Sequence, residues 1–127
     1  MSVHILIIDY EVIVTRVLAQ LLALSNYQLT VALSGEEGLK LYRDREIDLV
    51  IVDIYMPGIN EIEVIQTIKK DSPDTPIIAI SGGALIGQED LLPHAKPLGA
   101  DYFIEKPIAN QTLISAIEGA LRLSSQR

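Results

Sequence analysis

Five short aliphatic runs alternate with stretches of helical spacing along this 127-residue chain, and the alternation predicts an α/β domain built on a parallel sheet. Composition points the same way. Hydrophobic residues make up 49% of the chain, with no Trp and one Phe, which is the Ile/Leu/Val-rich make-up of strands covered by helices on both faces. The third observation is positional: four of the runs stop at or near a polar residue, namely Asp9, Asp53, Ser81 and Lys106. The length suits one domain over 1–127, with an ordered core expected over about 3–123.

The elements follow in order. Val3 to Ile8 is apolar apart from His4 and reads as a buried strand ending at Asp9. Val12 to Leu24 has helical spacing, with Val14, Val17, Leu18, Leu21 and Leu22 on the expected inner face. Gln28 to Val31 is a second short strand. Ser34-Gly35-Glu36-Glu37 has the form of a capping box, so a helix is expected from there to about Arg43. Leu49 to Val52 is the third strand, ending at Asp53, and Met56-Pro57-Gly58 marks a loop. Ile62, Ile65 and Ile68 mark the next helix, stopped by Ser72-Pro73. Ile77 to Ile80 is the fourth strand, followed by Ser81-Gly82-Gly83. A helix from roughly Asp90 to Leu98 leads to Gly99 as its cap. Tyr102 to Ile104 is the fifth strand, closed by Lys106-Pro107, and Asn110 to Leu123 is a final amphipathic helix with a frayed tail over 124–127.

Several classes are disfavoured. The net charge of −7 argues against a non-specific nucleic-acid or anionic-membrane surface. The absence of Cys excludes disulfides, thiolate metal sites and cysteine catalysis. With no basic leader and no apolar run long enough to span a bilayer, the expectation is a soluble cytoplasmic protein. The Met1 start weakly favours a stand-alone chain over a piece of a larger regulator.

In an open parallel sheet the carboxyl ends of the strands share one edge, and ligands bind there. Asp9, Asp53, Ser81 and Lys106 therefore converge: two carboxylates, a hydroxyl and an ammonium. Adjacent carboxylates favour a hard cation such as Mg²⁺. An aspartate beside it can attack phosphorus while the lysine and hydroxyl hold the phosphoryl oxygens. Taken singly, each residue has an ordinary explanation as a turn, cap or solvated loop residue. Four such residues at four strand ends are harder to assign to coincidence. His4 and His94 are assigned structural or surface roles.

The segments Ile-Leu-Ile-Ile-Asp (5–9), Asp-Leu-Val-Ile-Val-Asp-Ile-Tyr-Met-Pro-Gly (48–58), Ile-Ile-Ala-Ile-Ser (77–81) and Gly-Ala-Asp-Tyr-Phe-Ile-Glu-Lys-Pro (99–107) resemble response-regulator receiver domains, in the right order and over nearly the whole chain. The resemblance implies a flavodoxin-like, doubly wound five-stranded sheet of order 2-1-3-4-5 with five helices. It implies that Asp53 accepts a phosphoryl group from a sensor histidine kinase or phosphotransfer protein. Asp9, Asp53 and the backbone carbonyl of Tyr55 would hold Mg²⁺, Ser81 and Lys106 would contact the phosphoryl group, and Ser81 and Phe103 would form the switch. Output would pass through the face of the fourth helix, fifth strand and fifth helix to a downstream protein, with no direct nucleic-acid or membrane contact and a homodimer left open. Enzymatic activity would be confined to self-phosphorylation and self-dephosphorylation.

Three features depart from the family pattern. Tyr10 stands where a second acidic metal ligand is usual, with Glu11 next as a possible substitute, so weakened Mg²⁺ binding is expected. Glu61 stands where glycine is usual. The segment from Gly82 to Pro93 is longer and richer in glycine. The alternative function is a pseudo-receiver, a phosphorylation-independent binding or dimerisation module, which Tyr10 favours. An Asp-dependent phosphatase would need an Asp-x-Asp pair where Tyr55 stands, and a flavodoxin would need a phosphate loop where Asp9-Tyr10-Glu11 stands.

Overall fold

The structure, a computed structural model, describes residues 3–23, 25–54, 59–81, 99–105 and 108–125. The five aliphatic runs form β1 (His4–Ile8), β2 (Gln28–Ala32), β3 (Leu49–Ile54), β4 (Ile77–Ser81) and β5 (Tyr102–Glu105). They pair in parallel in the order β2-β1-β3-β4-β5. Four helices lie among the described residues: α1 (Val12–Leu22), α2 (Gly35–Asp44), α3 (Ile59–Asp71) and α4 (Asn110–Ser125). The helix expected over roughly 90–98 lies outside the described residues, as does the whole segment from Gly82 to Pro93.

The period of two along the strands divides the core into two layers. Ile5, Ile7, Leu49, Ile51, Ile78, Ile80 and Ile104 face Leu18 and Leu22 of α1 and Leu113, Ile117 and Ala120 of α4. Leu6, Ile8, Val50, Val52, Ile54, Ile77 and Ala79 face Val64, Ile65 and Ile68 of α3, with Leu39 and Tyr42 of α2 at the margin. Each fully buried Ile or Leu contributes roughly 1.5–3 kcal/mol, so the runs specify both layers at once.

Three strands extend further than their apolar runs. Asp53 is inside β3, not after it, because pairing with β4 continues through Asp53↔Ile80 and Ile54↔Ser81. Ser81 and Glu105 close β4 and β5 as register partners. The inner face of α1 also differs from expectation. Thr15, Leu18 and Leu22 are buried, while Val17 is 42% exposed. At 100° per residue the inner stripe runs through 14, 15, 18, 21 and 22, which leaves Val17 on the shoulder. Thr15 is accommodated by donating its hydroxyl to the Val12 carbonyl at 2.7 Å.

Ser34 caps α2 as expected, its hydroxyl accepting from the Glu37 backbone N–H at 3.1 Å. Gly38 then lets α2 lie against the end of β1: a Cβ there would fall 2.4 Å from Ile8 Cδ1. α3 stops at the Ser72-Pro73 turn, where the Thr75 N–H donates to the Ser72 carbonyl at 3.1 Å. α4 runs through Ser124 and Ser125, two residues beyond the predicted end.

At the amino edge of β4 and β5, Lys69 Nζ donates to Asp101 Oδ2 at 2.9 Å and to the Thr75 carbonyl at 2.7 Å. The same Asp101 oxygen accepts from the Ile77 N–H at 2.9 Å. Gly99, at φ 110°, passes so close that a Cβ would sit 2.8 Å from Lys69 Cγ. This buried knot ties α3 to the start of both strands.

Candidate functional site

The strand parity that sorts the core also aims the two carboxylates. Asp53 continues the row of Leu49 and Ile51 along β3, and Asp9 continues the row of Ile5 and Ile7 along β1. The β1–β3 register ends at Ile8↔Val52, and its next step sets Asp9 beside Asp53. Neighbouring strands lie about 4.8 Å apart, so the two residues are adjacent. Both are 1% exposed.

The turn after β1 is built by Asp9 itself. Its N–H continues the ladder by donating to the Ala32 carbonyl at 3.0 Å, and its Oδ1 accepts from the Glu11 N–H at 2.8 Å. Glu11, extended at φ −95° and ψ 112°, is the residue before α1, and its carbonyl accepts from the Thr15 N–H at 3.1 Å. Asp9 therefore shapes the turn with one oxygen, the ordinary role for such a residue, from the strand position next to Asp53.

Ser81 closes β4 one position beyond Ile80, the register partner of Asp53. Phe103, on β5 opposite Ala79, is half-buried and packs against the α3-side layer. Lys106 and Tyr55 lie outside the described residues, as do His94 and the Met56-Pro57-Gly58 segment. Glu61 falls in the first turns of α3. His4 has the structural role expected of it: its Nε2 pairs with the Thr30 hydroxyl at 2.5 Å.

Tyr10 is 42% exposed and lines a groove of about 380 Å³ between α2 and α3, with Ser34, Glu36, Leu39, Glu63 and Val64 among its neighbours there. Among the described residues no group of three or more His, Cys, Asp or Glu is arranged to hold a metal. The donors that are brought together, Asp9 and Asp53, fit a hard divalent cation in kind, since both are carboxylates. Carboxylates on adjacent positions of neighbouring strands also repel in a buried setting, which a cation offsets.

The Lys69–Asp101 knot was not foreseen. Its signal was present in the Gly-Ala-Asp triplet 99–101, where a positive-φ glycine precedes an aspartate at the start of an apolar strand.

A family profile described as "Response regulator receiver domain" matches residues 5–118. A "Probable transcriptional regulator ycf27" of Cyanidium caldarium is 36% identical over 121 residues, covering 94% of this chain and 46% of that protein. Among solved structures, NtrX from Brucella abortus in complex with ADP superposes with a TM-score of 0.87 at 31% identity, over 99% of this chain and 28% of that one. A response regulator receiver domain protein from Clostridium thermocellum gives 0.85 at 28% identity, over 98% of each chain. The chain thus spans about half the length of the curated relatives it matches. A five-stranded sheet of order 2-1-3-4-5, paired carboxylates where β1 and β3 reach the carboxyl edge, and a profile match over nearly the full length agree: this chain belongs to the response regulator receiver domain family.

Proposed function

We propose that this domain is a phosphorylation-controlled signalling switch in which Asp53 accepts a phosphoryl group from a phosphohistidine on a sensor kinase or phosphotransfer protein. The observation that carries this reading is the register that sets Asp9 beside a buried Asp53, with Ser81 one step beyond on β4. An Asp53 carboxylate oxygen attacks phosphorus. The P–N bond to the donor imidazole breaks as the new P–O bond forms, and the imidazole leaves with a proton. Lys106 and the Ser81 hydroxyl hold the transferred phosphoryl oxygens and offset their charge.

Receiver domains bind Mg²⁺ at this acidic pocket; when bound it draws charge from the transferring group. Asp9, Asp53 and the Tyr55 carbonyl would hold it here, with Glu11 near enough in sequence to assist. Tyr10 supplies a neutral phenol where a third carboxylate would add charge, and so lowers metal affinity. Once Asp53 is modified, Ser81 and Phe103 shift together and bias the domain between two pre-existing conformations. Phe103 carries that change to a surface at the β5 edge, where a downstream protein docks. No helix among the described residues is long and apolar enough to cross a membrane, and the cytoplasm is the proposed place of action.

The test is intact mass after incubation with a small-molecule phosphodonor, with and without Mg²⁺, against Asp53→Asn. One added phosphoryl group that the variant lacks supports the switch. No gain under any condition refutes it and favours a phosphorylation-independent module, the reading to which the groove-lining Tyr10 lends weight.

A further inference from the structure

The residue after Asp9 falls on the other side of the sheet. Asp9 shares the row of Ile5 and Ile7, whereas Tyr10 takes the parity of Leu6 and Ile8, whose layer packs on α2 and α3. Tyr10 is 42% exposed and lines the groove of about 380 Å³ between those helices. Glu36 and Glu63, both exposed, line it too, with Leu39, Val64 and Thr67. No cationic side chain lines the groove among the described residues, and neither glutamate has an ion-pair partner among them. The amino end of α2 also borders the groove. Its partial positive charge is offset by Glu36 and Glu37 in the first turn, and the Ser34 hydroxyl already takes the Glu37 N–H.

We propose that this groove docks an arginine side chain of a partner protein. A guanidinium meets both features that the groove combines: it stacks on a phenol ring, and it binds carboxylates through its N–H fork. Its aliphatic stem suits the apolar lining of Leu39 and Val64. An ammonium lacks the plane, and a neutral ligand leaves two carboxylates unmatched. The source is a protein and not a free small cation. Exposed ion pairs and cation–π contacts are each weak, and together they hold a lone guanidinium no tighter than about millimolar. The groove therefore contributes one anchor to a wider interface, of the Tyr and Arg kind that most often dominates such surfaces. Docking here is separate from phosphoryl transfer, since the groove and the carboxylate pair lie on opposite faces of the sheet edge, and it persists in Asp53→Asn.

Backbone amide shifts of the isotope-labelled full chain, titrated with the peptide acetyl-Gly-Arg-Gly-amide to ~50 mM, test this. The expected result is saturable movement confined to the amides of Tyr10, Glu36, Leu39, Glu63, Val64 and Thr67, with a Kd of millimolar order that rises with added salt. Kd rises about fivefold in the double variant Glu36→Gln, Glu63→Gln and about threefold in Tyr10→Leu. All three positions are exposed, and unchanged shifts elsewhere confirm that the variants fold. Equal binding of the citrulline peptide, which keeps the plane without the charge, overturns the proposal. So does equal binding of the lysine peptide, movement spread evenly over the acidic surface, or variants that bind as the wild type does. A guanidinium ion that binds as tightly as the peptide overturns the protein source and assigns the groove to a small cation. Groove amides that move when the chain alone is concentrated overturn it too, and assign the groove to a second copy.

Discussion

Replacing Lys69 with methionine keeps the aliphatic stem that packs against Gly99 and removes only the ammonium. The ammonium lies in a nearly closed setting, the Lys69 and Asp101 side chains being 14% and 10% exposed. Breaking a buried ion pair by deleting one partner costs about 3–5 kcal/mol, because the remaining charge stays desolvated. Here Asp101 keeps its bond from the Ile77 N–H, which holds the expected loss near the lower limit, about 3 kcal/mol. The Thr75 carbonyl loses its 2.7 Å donor as well, so the loss should not fall much below that. Against a total stability of ~5–15 kcal/mol this is a large fraction. It corresponds to roughly 10 °C in Tm for a domain of this size. Urea unfolding followed by far-UV circular dichroism measures it, since the chain has no Trp. The midpoint falls with an unchanged m-value. A loss under about 1 kcal/mol would show that the knot is solvated like a surface pair and refute the reasoning.

Gly38→Ala places a methyl 2.4 Å from Ile8 Cδ1 and destabilises by about 1–3 kcal/mol, part of which Ile8→Val restores in a double-mutant urea series. Tyr10→Asp adds a carboxylate beside Asp9 and tightens Mg²⁺ binding about tenfold or more by titration calorimetry; unchanged affinity would sink the account of this position. The Tyr27 hydroxyl is raised above its ordinary value, first by burial and then by the Glu118 carboxylate. A raised folded-state pKa gives stability that is complete below pH ~10 and lost as pH climbs through the folded value. Urea midpoints from neutral to strongly alkaline pH therefore fall less for Tyr27→Phe than for the wild type at the top of the range.

The strands and their polar endings were legible because a buried parallel strand needs an unbroken aliphatic run, and five such runs occur. Less legible was where each strand stops. Hydrophobicity ends at Val52, but the ladder to β4 goes on through Asp53 and Ile54, since hydrogen bonding is indifferent to side-chain polarity. The inner face of α1 was misplaced at Val17 because four valines and isoleucines near its start blur the helical stripe. The adjacency of Asp9 and Asp53 could be foreseen only in outline; the register that fixes it is a long-range property of β1 against β3. Asp101 was overlooked because the Gly-Ala-Asp triplet marks only the turn into β5, while the partner of its carboxylate lies far away in sequence on α3.

The central position of β3 also orders events during synthesis. Asp53 leaves the ribosome with β1 and β2 already made, but Ile80, its partner on the other side, is still to come. At about 5–20 residues per second the gap is on the order of seconds. During that interval the Asp53 carboxylate exists as an ordinary hydrated aspartate, with no ladder on one flank and no Ser81 nearby. A nascent chain that stalls before β4 thus carries the residue without its surroundings, and the buried carboxylate pair is complete only when the second half of the sheet closes over the first.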